Sequence, residues 1–121
     1  MKRKALWRYT SLWLPVFLWG GIIFWLSSIP YLRITESPWD LVLRKLAHVG
    51  EYAVLARLIA RALSGSLFWS WRKIFILSLV VSVLYAATDE YHQTFVAGRV
   101  GCVRDVCVDF LGAWIGLGLR P

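Results

Sequence analysis

The residues able to do chemistry fall in three separate stretches: Lys45, His48 and Glu51; Asp89, Glu90, His92 and Gln93; and Arg99, Arg104, Asp105 and Asp109. Several readings fit them. A carboxylate pair such as Asp89 with Asp109, with His48 beside it, has the makings of a general acid and base. His48 and Asp89 are then the catalytic candidates. The same groups suit a binding pocket made of Lys45, His48, Glu51, Asp89, Glu90, Gln93, Arg99, Asp105 and Asp109. Its basic residues fit a phosphate or pyrophosphate, and its acids fit an ammonium. A metal held by His48, Glu51, Asp89 and Asp109 is chemically permissible. No compact spacing motif supports one, so neither metal nor cofactor is expected. The last reading needs no ligand: Glu51, Asp89, Glu90, Asp105 and Asp109 balance Arg44, Lys45, Arg99 and Arg104 and staple helices together. Neither a GxSxG, a Walker loop nor an HExxH is present, so enzyme and non-enzyme both stay open.

The elements that must position these residues are membrane helices. Of 121 residues, 59% are hydrophobic and 17% charged, and the mean hydropathy is +0.59. A soluble domain averages about 45–50% apolar and about 25% charged. One domain fits the length, with no room for a separate soluble one. A first apolar run, 12–29, has no charge. It is longer than a signal-peptide core and lacks a good cleavage site. Pro30, Glu36, Pro38 and Asp40 mark the polar loop after it. A second span, 41–63, gathers Arg44, Lys45, His48, Glu51 and Tyr52 within about 100° of helical arc. Such a face must point into a bundle. Span 3 covers 74–96 and span 4 covers 105–119, with the glycine-punctuated segment 96–101 between them. The expected fold is an all-α bundle of four transmembrane helices in a multi-pass cell-membrane protein.

The charge pattern sets the orientation. A net charge of +7 would suggest nucleic acid in a soluble protein. Here Lys2, Arg3, Lys4, Arg8, Arg57, Arg61, Arg72, Lys73 and Arg120 flank the spans on one side. Arg33, Arg44, Lys45, Arg99 and Arg104 fall on the other. The positive-inside rule then puts both termini in the cytoplasm and excludes a nucleic-acid partner. Arg57 and Arg61 are expected to snorkel. Trp7, Trp13, Trp19 and Trp25, six apart and so not on one stripe, read as lipid and interface anchors. Asp105, Asp109, Gly112 and Gly116 share about 60° of arc on span 4. The glycine pair allows close helix contact, within the chain or in a homo-oligomer. Cys102 and Cys107 have no zinc spacing and are read as inert thiols. A disulfide between them is awkward geometry.

This topology delivers the three polar stretches to one leaflet, the outer one. The motif Lys45-Leu46-Ala47-His48-Val49-Gly50-Glu51-Tyr52 and the run from Asp89 through Gln93 to Gly98-Arg99 resemble the VanZ-like family of small bacterial membrane proteins. Gly101, Asp105, Asp109 and Gly112 continue the likeness. Two positions depart from it: Arg44 and Asp109 stand where members often carry Asp and Asn. The resemblance implies a polytopic cell-envelope protein. It also implies a link to low-level resistance to teicoplanin, which acts on cell-wall precursors outside the membrane. The implied partners are membrane lipids and a lipid-linked cell-wall precursor. The implied activity is binding of such a molecule or, as the alternative, its hydrolysis or transfer.

Overall fold

The computed structural model describes residues 1–31 and 37–119. Arg33, Glu36 and Arg120, assigned above to loops and ends, lie outside them. Four helices follow in chain order: α1 Lys2–Ser27, α2 Asp40–Ser66, α3 Trp71–Gln93 and α4 Val103–Gly118. No strand occurs among the described residues. α1 and α3 are long and apolar enough to cross a membrane. α1 starts ten residues before the apolar run, so the basic lead-in is helix and not a tail. Asp40, expected in the loop, opens α2 as a buried acid in its first turn and pairs with Arg44 at 2.7 Å. An acid at that end is favoured by the helix dipole.

The molecule turns its large apolar side chains outward. Phe17, Trp25, Leu46, Leu84 and Trp114 are exposed, while Ser78, Ser82, Asp89, Glu90, Gln93 and Asp109 are buried. On α3 the buried stripe is Ile74, Ser78, Ser82, Ala86, Asp89, Glu90 and Gln93. Those three- and four-residue steps follow one face of a helix, and that face is small or polar. Water would expel such an arrangement; lipid accepts it, because acyl chains are as apolar as leucine. The core proper is built on the second half of α2, from Tyr52 to Leu63, with Ile23, Ile74, Ala86, Ala113 and Leu117 around it.

α2 and α4 make the closest contact. A Cβ on Gly112 would run into the Val49 backbone, and one on Gly116 into that of Ala53. Glycine therefore lets α4 lie directly on α2. Both glycines are buried inside this chain. Within this chain they pack against the α2 backbone.

Three helices end on an arginine borrowed from elsewhere. α1, α2 and α4 have no basic residue in their last turn. Arg99 donates to the carbonyls of Leu26 (2.7 Å) and Ile29 (3.1 Å) at the end of α1. Arg8 donates to Gly65 of α2 at 2.6 Å. Arg57 donates to Gly116 at 3.1 Å and to Leu119, beyond α4. The orphan carbonyls of a helix end are thus satisfied, and the negative end of each dipole meets a cation. Arg61, like Arg57, bonds a backbone carbonyl, donating to Ser11 O at 3.3 Å. Two tryptophans also change role. Trp13 donates to Ser66 Oγ (3.0 Å) and Trp19 to the Glu51 carbonyl (2.8 Å), tying α1 to α2. Trp7 and Trp25 are exposed, as lipid anchors would be.

Candidate functional site

A cavity of about 320 Å³ opens where the N-terminal half of α2, the C-terminal ends of α1 and α3, and the start of α4 converge. Arg44, Lys45, His48, Glu51, Asp89, Gln93, Arg99 and Asp105 line it. The loop after α3 reaches it because Gly98 adopts φ +75°, the left-handed region that glycine enters without a Cβ penalty. A Cβ there would also strike the Tyr31 ring, and the Tyr31 N–H donates to Ala97 O at 3.2 Å. That turn places Arg99 over the end of α1. Burial, with Arg44 nearby, pulls the Arg99 guanidinium below its ordinary value, but it stays charged.

The expected residues do come together, with partners that spacing did not foretell. Lys45 Nζ pairs with Asp105 Oδ1, both side chains partly exposed. His48 Nδ1 lies 3.0 Å from Asp109 Oδ1. Tyr52 donates to Asp89 Oδ2 at 3.4 Å. Glu90 Oε2 accepts the N–H of Cys102, the N-cap of α4, at 3.2 Å. Glu90 and Asp109 are buried behind the cavity wall and not among its lining. The two catalytic candidates do not bond one another: His48 takes Asp109, and Asp89 takes Tyr52.

The balanced set of acids and bases pairs only in part. Arg44 pairs with Asp40, and Arg99 donates to two α1 carbonyls. Among the described residues, Lys45–Asp105 and His48–Asp109 are the pairs that join members of the cluster. The fold also makes a grouping that no motif announced. His48, Glu90 and Asp109 each offer a ligand atom, all within 4.8 Å of one another. Cys102 and Cys107 are free and exposed.

A second, apolar crevice of about 500 Å³ lies between α1, α2 and α3. Phe17, Gly20, Phe24, Leu55, Ile59 and Leu77 are among its walls. Tyr85, whose hydroxyl donates to Gly20 O at 2.5 Å, borders it. The sequence reading missed it, because α1 carried no polar signal to mark a gap. The glycine pair Gly20-Gly21 was the one local hint.

The fold and site define a small all-helical protein, apolar outside, with a polar cavity at one end of its helices. A family model described as VanZ/LLP1 matches residues 7–121, nearly the whole chain. The chain belongs to the VanZ/LLP1 family. No curated protein and no solved structure matches it.

Proposed function

We propose that the chain is a multi-pass cell-membrane protein with four spans and both termini in the cytoplasm. Its outward-facing cavity would bind the phosphate-bearing head group of a lipid-linked cell-wall precursor. One observation carries this reading: cations border a polar cavity in a molecule whose outer face is apolar. The side chains of Arg44 and Lys45 are 34% and 37% exposed, so they remain within reach of a guest. The apolar crevice offers a surface for a hydrocarbon chain. α2 and α4 join α1 and α3 as spans because they too turn polar groups inward and Leu41, Leu46, Phe110 and Trp114 outward.

The test uses the purified chain in detergent. Undecaprenyl phosphate should raise the melting midpoint of the wild type and leave Lys45→Ala unmoved. The phosphate-free alcohol should do nothing to either. A wild type that ignores the phosphate lipid ends the reading. A role in teicoplanin tolerance is its finer part. Expression should then raise the inhibitory concentration of teicoplanin, and Lys45→Ala should not.

A second reading, a membrane hydrolase or transferase, rests on the His48–Asp109 contact. A carboxylate that fixes one ring nitrogen orients the imidazole, which is how a histidine base is held. Release of phosphate from the same lipid, lost in His48→Ala, would favour it.

A further inference from the structure

Carboxyl groups from three helices meet at and behind the inner wall of the cavity. Glu51 from α2, Asp89 and Glu90 from α3 and Asp109 from α4 gather there. The cations at the mouth make their protein contacts outside this group, with Asp105, Asp40 and the α1 carbonyls. Among the described residues His48 makes the ion pair to one of the four acids, Asp109. Glu90 and Asp109 are 4% and 1% exposed, and each keeps one buried oxygen, Oε1 and Oδ2, without a hydrogen-bond partner among the described residues. Leaving a buried carboxylate oxygen unpaired is costly. A single divalent cation beside His48 would satisfy both open oxygens at once.

We propose that His48, Glu90 and Asp109 bind a divalent transition-metal ion, zinc in the first place. Their ligand atoms already lie within 4.8 Å of one another. Imidazole with carboxylate is a donor set that zinc accepts, and three protein ligands with a further position for water are enough for it. Magnesium, which prefers oxygen ligands and keeps its waters, fits an imidazole less well. The ligands come from three helices, so the ion also joins α2, α3 and α4. Glu90 is already oriented by the Cys102 N–H on its other oxygen. Outer contacts of that kind hold metal ligands in place. His48 lines the cavity, which gives the ion its way in.

The site is argued without the lipid, and its test needs none. The full chain in detergent is stripped with a chelator and dialysed against zinc or, in parallel, manganese. Bound metal is measured by elemental analysis and affinity by competition with a chelating dye. The wild type should retain about one equivalent per chain. His48→Ala and Asp109→Asn should weaken binding by more than the roughly 10–100-fold typical of an outer-contact change. Exposed thiols also take zinc, so the double variant Cys102→Ser, Cys107→Ser is the control and should bind like wild type. Glu90→Gln keeps an acceptor for the Cys102 N–H; it should melt near wild type while losing affinity. Zinc should raise the midpoint of the stripped wild type and not that of the three ligand variants. Manganese held in place of zinc, with the same variant dependence, sustains the site and changes the ion. A wild type that retains neither ion overturns the proposal. So does binding that survives loss of His48 and Asp109, or binding that vanishes with the cysteines alone.

Discussion

Lys45 and Arg99 look alike in sequence, two cations beside one cavity, and their contacts separate them. Lys45 pairs with Asp105 where both side chains are partly exposed. Such pairs contribute about 0–1 kcal/mol. Lys45→Ala should therefore melt close to wild type, which makes it the clean probe of ligand capture. Arg99 is different because its donors serve carbonyls at the end of α1. Hydrogen bonds from a charged group contribute about 1.5–3 kcal/mol. Arg99→Ala should lower the melting midpoint sharply with no ligand present. Arg99→Lys should restore only part of it, since an ammonium cannot span both carbonyls as a guanidinium does. Equal melting of Arg99→Ala and wild type would refute the capping role. Asp89→Asn keeps an oxygen for the Tyr52 hydroxyl, so its cost should stay near 1 kcal/mol.

At the scale of elements, the pairing of α4 with α2 decides the site. Asp109, Gly112 and Gly116 lie on one face of α4, and the glycines seat that face on Val49 and Ala53. His48 is next to Val49 in sequence, so the same contact delivers it to Asp109. A branched side chain at either glycine must push the helices apart, and overpacking of this kind costs about 1–3 kcal/mol or more. Gly112→Val and Gly116→Val should both reduce folded yield and melting midpoint. Gly118→Ala, with nothing within 4 Å of the added carbon, should change the midpoint little. If Gly116→Val melts like Gly118→Ala, the close packing is wrong. The C-terminal end of α4 depends on α2 in a second way. Arg57 serves that end from outside the helix, so Arg57→Ala should fray α4. The expected loss is about 0.3–2 kcal/mol, seen as faster amide exchange at residues 115–118.

At the scale of the whole molecule, the proposed four-span arrangement makes its own predictions. α4 spans 16 residues, a rise of about 24 Å against a hydrocarbon core of about 30 Å. As a span in the proposed arrangement it would reach most of the way across. Both cysteines are free and exposed; under the proposed topology Cys102 at the start of α4 would face outward and Cys107, five residues on, would face lipid. A membrane-impermeant thiol reagent should label Cys102 in intact cells, and Cys107→Ser should not reduce that labelling. Reporter domains fused to either end should both register as cytoplasmic. Labelling that requires cell lysis would invert the topology and put the cavity on the cytoplasmic side.

Much of this molecule is written in local pattern. The four helices, the inward polar face of the second one, and the convergence of three charged stretches at one end all follow from periodicity and hydropathy. These depend on residues a few positions apart. The partner of each charged group does not. Whether Arg99 meets a carboxylate or a carbonyl depends on the turn at Gly98 and on where α1 ends. Whether His48 meets Asp89 or Asp109 depends on how far α4 is rotated and slid along α2, which the contacts at Gly112 and Gly116 decide. The sequence alone determined that acids, a histidine and cations would share one end of an apolar bundle. Only the tertiary structure decided that the cations border its rim while His48, Glu90 and Asp109 come together deeper in, because helix register is a property of packing between elements and not of any one of them.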